Sequence, residues 1–128
     1  MDKKTVELHT GIEEYIQHLE AAGQTASTIG TARRTLALLE QHMSAAKVIS
    51  KIMTVHVHAF FASEAATTLN GKARAQASIL QIRRIVRSAL VWWCSNGYIN
   101  TIPLPKDERH FVQGRSKKAT GPDQTETE

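Results

Sequence analysis

A single cysteine, Cys94, leaves no internal disulfide to staple the chain. The fold must then be held by its core, and a reducing, cytoplasmic setting is expected. The surroundings of that residue, Trp92-Trp93-Cys94, suggest a buried small hydrophobe and not a reactive thiol. Aromatic residues are only 5% of the sequence, so the core must be built mostly from Leu, Ile, Val and Ala. There is no apolar run of about eighteen residues, and therefore no expected membrane span. The opening residues, Met1-Asp-Lys-Lys-Thr-Val-Glu7, lack the apolar centre of a signal peptide. Nor is there a Gly-rich phosphate loop, a pair of catalytic carboxylates or a Ser–His arrangement. His56 and His58 are two residues apart and so point about 200° apart around a helix. One metal would want ligands at i and i+4, so no metal and no cofactor is expected.

The most telling scarcity is of acid. From Ala21 to Lys106 there are ten Lys or Arg against two acids, Glu40 and Glu64, and Ala65–Lys106 holds no acid at all. The first twenty residues carry a net −3 and the last twenty-two a net −1, so the overall +4 conceals a middle segment of +8. Concentrated positive charge attracts polyanions, above all the phosphate backbone of nucleic acid. An anionic membrane surface would also ask for an exposed apolar helix face.

What is present is helical periodicity over one domain of 128 residues. Ile12, Tyr15, Ile16 and Leu19 predict a first helix over about Val6–Ala22, with Gly23 as its left-handed stop. A second opens at Thr25 or Ser27, both good caps, and carries Ile29, Ala32, Leu36, Leu39 and Met43 to about Ser44. Lys47–Met53 reads as a turn or brief extended segment. Thr54 reads as the cap of a third, shorter helix through Val57, Phe60 and Phe61 to about Ala65, followed by a loop over Thr67–Gly71. The fourth helix is expected over Lys72–Ser95, with Ile79, Ile82, Ile85, Val86, Ala89, Leu90 and Trp93 as its apolar stripe. Asn96-Gly97 stops it, and Ile102-Pro103-Leu104-Pro105 forces an extended exit. No strand is predicted. Residues 1–105 form the helical domain. Residues 106–128 form a linker and a tail with too little apolar surface to order itself.

The order of these signals resembles the core-binding domain of tyrosine recombinases, the phage integrase family. Gly23-Gln-Thr-Ala-Ser-Thr-Ile29 with Leu36 and Leu39 is similar to that domain's second-helix entry, and Ile12-x-x-Tyr15-Ile16-x-x-Leu19-Glu20 to its first helix. Ile52–Phe61 resembles the third helix. Ser78-Ile79, Arg87, Leu90, Trp92 and Gly97-Tyr98-Ile99 resemble the fourth and its exit, with Pro103 as the exit proline. Ala32, where an aromatic is common, and Ile102, where Asn usually precedes the proline, depart from the pattern.

The resemblance implies an all-α, four-helix orthogonal bundle of the SAM-like kind, two crossing pairs around one core. It implies double-stranded DNA binding within site-specific recombination and DNA integration. In that family the nucleophilic tyrosine and its Arg, Lys and His partners lie in a following catalytic domain. No such cluster surrounds Tyr15 or Tyr98, so no enzymatic activity is expected. The implied partners are duplex DNA and, on it, a recombinase catalytic domain or sister protomers, with no membrane.

Lys72, Arg74, Gln76, Gln81, Arg83, Arg84 and Arg87 of the fourth helix are candidate DNA contacts, because no Glu at i±4 balances the arginines. The resemblance adds Arg33 and Arg34, since the family presents its second and fourth helices to DNA. Thr25, Ser27 and Thr28 cap the helix, contact phosphate, or do both. Two other classes compete: a small helical transcription regulator, and a protein–protein adaptor with a basic face.

Overall fold

The structure is a computed structural model that describes residues 5–104, and the linker and tail expected over 106–128 lie outside them. These residues form five α-helices and one small hairpin. The order is α1 (Leu8–Ala21), α2 (Ala26–Met43), α3 (Thr54–Ala62), α4 (Glu64–Thr67), β1 (Thr68–Leu69), β2 (Lys72–Ala73) and α5 (Gln76–Ser95). A single 3-10 turn, Ile49–Lys51, joins α2 to α3. The chain is thus mostly helical, as its periodicity requires.

Local signals set the helix ends. Thr25 caps α2: its hydroxyl accepts the Thr28 N–H at 3.1 Å. Gly23 and Gly97 take the left-handed conformation after α1 and α5 (φ +80° and +87°). In each case the next residue's N–H reaches back to close the last turn, Gln24 to the Leu19 carbonyl and Tyr98 to that of Trp93. α1 begins differently. Glu7 offers no side-chain cap, and the amides of Leu8 and His9 donate to the carbonyls of Lys47 and Ala45 at 2.7 and 3.1 Å. Glu7 and Val48 form an isolated antiparallel bridge. The segment after α2 therefore contains both an extended piece and a turn, and it satisfies donors that helix α1 cannot.

Four expectations are corrected here. The stretch read as a loop followed by the start of the fourth helix is a two-residue hairpin, with Thr68 opposite Ala73 and Leu69 opposite Lys72. Its turn is Asn70-Gly71, both with positive φ (55° and 79°), the pairing that a tight hairpin demands. Helix α5 accordingly starts at Gln76, four residues later than predicted. The third helix also stops early, at Ala62, and a separate one-turn helix, α4, follows Ser63. Thr54 is the first residue of α3 and not its cap. Met53 holds the cap position, and the ring Nδ1 of His56 accepts the Met53 N–H at 3.0 Å.

The core gathers Leu8, Ile12 and Ile16 of α1, Leu36 and Leu39 of α2, Val57, Phe60 and Phe61 of α3, and Ile82, Val86, Leu90 and Trp93 of α5. The exit segment folds back onto it, burying Tyr98, Ile99 and Leu104. α1, α5 and the 3-10 turn meet around Gly11. Trp93 is fully buried and its indole Nε1–H donates to the Gly11 carbonyl at 3.0 Å. A Cβ at Gly11 would lie 2.1 Å from the Cδ1 of Ile49, itself completely enclosed. Any larger residue there would force the enclosed Ile49 side chain to shift. Cys94, expected to be buried, is half-buried beside this joint.

Tyr98 ties the exit to α1 by donating its phenolic hydrogen to the Glu14 carboxylate. Burial first, and then that carboxylate, hold the Tyr98 phenol well above its ordinary value, and burial alone raises that of Tyr15. Both phenols ionise more readily unfolded than folded. The stability they contribute is complete below the unfolded tyrosine value of about 10 and declines as pH rises above it toward the raised folded values. Denaturant midpoints are expected to stay level up to pH about 9.5 and fall beyond pH about 10. Tyr98→Phe should make that alkaline fall shallower, and an unchanged slope would show that Tyr98 does not carry it.

Candidate nucleic-acid interface

Helix α5 turns Ile82, Val86, Leu90 and Trp93 inward, and this places Arg84 on the opposite side of the helix. Arg84 is exposed, whereas Arg87 and Arg83 are half-buried on the flank. The guanidinium of Arg83 lies over the ring of Phe61, 5.4 Å from its centre, so this side chain closes the edge of the core as well as adding charge. A groove of about 860 Å3 follows the outer side of α5. Arg83, Arg84, Arg87, Val91 and Trp92 line it, together with Tyr15 and His18 of α1.

A second hollow, of about 400 Å3, lies between α2 and the start of α5. α2 contributes Thr31, Arg34, Thr35 and Leu38, positions that share one helix face. α5 contributes Ser78, Gln81 and Ile82, and the hairpin region contributes Leu69 and Arg74. A shallower depression of about 330 Å3, lined by Ala77, Ser78, Leu80, Gln81 and Arg84, shares residues with both. The three hollows therefore adjoin along α5. Among the described residues five arginines line them, and no Asp or Glu does.

The residues singled out from sequence fall into three groups. Arg34, Arg74 and Gln81 come together in the second hollow, and Arg83, Arg84 and Arg87 in the first. Ser27 sits one turn before Thr31 on the face of α2 that leads to the second hollow, and its carbonyl accepts the Thr31 hydroxyl at 3.0 Å. Thr25 and Thr28 are exposed at the helix start, their hydroxyls 3.0 Å apart. Gln76 is exposed at the first position of α5.

The remaining two, Lys72 and Arg33, are not among the residues that line the hollows. Neither Lys72 nor Arg74 is on the fourth helix as expected: Lys72 is exposed on β2 and Arg74 follows that strand, because the Asn70-Gly71 turn spends those residues on a hairpin. Arg33 is not turned toward the face that carries Arg34. It forms an ion pair with Glu13 of α1 at 2.9 Å, since neighbouring positions on a helix point about 100° apart.

Reading the residues one by one missed an aromatic cluster beneath the groove. The ring of His18 stacks on Trp92 with centres 5.1 Å apart, and Tyr15 and Tyr98 approach the same indole at 5.7 and 5.5 Å. Trp92 is half-buried, and its ring is engaged by these neighbours more than offered to a base. The i, i+3 pair Tyr15–His18 was the available signal. Among the described residues no group of three His, Cys, Asp or Glu is placed to hold a metal ion. None of their helices is long and apolar enough to cross a membrane.

Compared with protein-family models, with curated proteins and with solved structures, the chain has no match.

Proposed function

We propose that this chain binds double-stranded DNA in the manner of the core-binding domain of a tyrosine recombinase, within site-specific recombination. The observation that supports it most is the strip of adjoining hollows along α5, which, among the described residues, five arginines line without one acid. A folded surface of that kind is suited to a regular row of phosphates, which the arginines would neutralise with release of counterions. In this reading α1, α2, α3 and α5 are the four helices of the family's orthogonal SAM-like bundle. The one-turn α4 and the hairpin are then an addition between the third and fourth. The partners on DNA are a recombinase catalytic domain or sister protomers.

Binding proceeds without strand cleavage in this reading. Tyr15 and Tyr98 are 6% and 1% exposed, and Tyr98 already donates to Glu14. A phenol so enclosed does not reach a phosphodiester.

Fluorescence anisotropy with labelled duplexes tests the reading. Affinity should be in the micromolar range at physiological salt, roughly 1–100 µM, with little sequence preference. Neutralising about five phosphates predicts a slope near −4.5 in log K against log salt. Absence of binding to any duplex at about 50 mM salt would remove the proposal.

A further inference from the structure

We infer that the hollow between α2, the hairpin and the start of α5 is a phosphate-binding site built around Arg34 and Arg74. Three independent features point there. Arg34 and Arg74 come from elements far apart in the sequence, yet both line one hollow of about 400 Å3 that no carboxylate among the described residues lines. Two cationic groups lining one hollow disfavour each other, and an anion between them reverses the sign of the interaction.

The second feature is the state of Arg74. Its Nη2 donates to the Ala65 carbonyl at 3.0 Å, which holds the guanidinium in place. Its Nε is buried, with no hydrogen-bond partner among the described residues. A buried guanidinium N–H is seldom left unmade, and phosphate supplies several strong acceptor oxygens to such a fork. The third feature is the start of α5. Ala75 holds the cap position and brings no side-chain oxygen to the first amides, so the positive end of a twenty-residue helix is left without a side-chain cap. Ser78, in the first turn of that helix, lines the same hollow and adds a hydroxyl, as do Thr31 and Thr35 across it.

The hairpin explains how the site is made. The Asn70-Gly71 turn reverses the chain so that Arg74 leaves β2 beside α4, where the Ala65 carbonyl captures it. A continuous helix over the same residues would not have placed it there. The phosphate is either free in solution or a phosphodiester of the DNA backbone. The second source rests on the DNA reading above; the site itself does not.

The test has two arms. In the first, the side-chain Nε–H signal of Arg74 is followed by NMR in the full chain as sodium phosphate or pyrophosphate is added, with sodium chloride at matched ionic strength as the comparison. A saturable shift with phosphate and none with chloride is expected. In the second, duplex affinity and salt slope are measured for wild type, Arg34→Gln and Arg74→Gln. Each variant is expected to lose roughly tenfold in affinity, equally for all sequences, and about one unit of salt slope.

Arg34 is exposed, so its variant reports on the site even if Arg74→Gln fails to fold. A phosphate shift together with weakened DNA binding in the variants supports both site and source. If wild type binds DNA and neither variant changes affinity or slope, the backbone phosphate is not held here and the proposal falls for DNA. A phosphate shift in a chain that binds no duplex upholds the site and removes the DNA reading. If phosphate and chloride leave the Arg74 signal alike, the site is overturned whatever the chain does with DNA.

Discussion

Reversing charge at both Arg84 and Arg87 is expected to weaken duplex binding by at least roughly a hundredfold at moderate salt, about tenfold or 1.4 kcal/mol for each lost contact. Both line the groove on the outer side of α5, and neither belongs to the buried set that holds the domain together. Each Arg→Glu change removes a phosphate partner and adds a charge that repels the backbone, so the salt slope should also flatten by two units or more. Arg83 is kept out of this pair because its guanidinium covers Phe61, and reversing it would disturb the core edge together with the charge.

The comparison variant reverses Lys117 and Lys118, which lie outside the described residues in a segment expected to contribute only diffuse attraction. It should lose much less affinity. Helical circular dichroism checks that both variants stay folded. Should the Lys117 and Lys118 variant lose more than the α5 variant, the face on α5 is not the binding surface, and the adaptor reading moves ahead.

Trp93→Ala is expected to lower stability by about 3–5 kcal/mol, the range for emptying a buried aromatic site. Trp93 is completely enclosed and is the largest of the fully buried side chains. It fills the space between α5 and α1, and its indole N–H holds the Gly11 carbonyl at 3.0 Å. Around it Ile49 and Gly11 are already in close contact, so the helices have little freedom to collapse into the gap. A small domain commonly has only about 5–15 kcal/mol in total. At about 4–8 °C per kcal/mol the melting temperature should drop by roughly 12–40 °C. Trp93→Phe keeps most of the volume and should cost about 1–3 kcal/mol. A Trp93→Ala protein that melts within a few degrees of wild type would mean that the α1–α5 joint is not where the core is held.

Much of the helical architecture is local chemistry and is legible as such. The spacing of Ile12, Tyr15 and Ile16, of Leu36 and Leu39, and of Ile82, Val86, Ala89, Leu90 and Trp93 declares which side of each helix is buried, and every one of these is enclosed. Gly23, Thr25 and Gly97 announce helix ends because their conformational freedom or side-chain oxygen acts on the next few residues only. The Asn70-Gly71 signal was equally local. It was hard to read as a hairpin because its strands are two residues long and carry no alternation of apolar and polar positions.

The charge surplus of the middle segment is likewise a property of the sequence by itself, since a net charge needs no fold. Which of those charges act together is not. Arg33 is answered by Glu13 on another helix, Arg83 by the face of Phe61, and Arg74 by a carbonyl of α4 that the hairpin brings within reach. Arg34 and Arg74 line one hollow only because α2 packs against the start of α5. Periodicity specifies the direction of a side chain relative to its own helix axis. The angle and offset between helices, set here by contacts such as Trp93 on Gly11 and Tyr98 on Glu14, decide what that side chain meets.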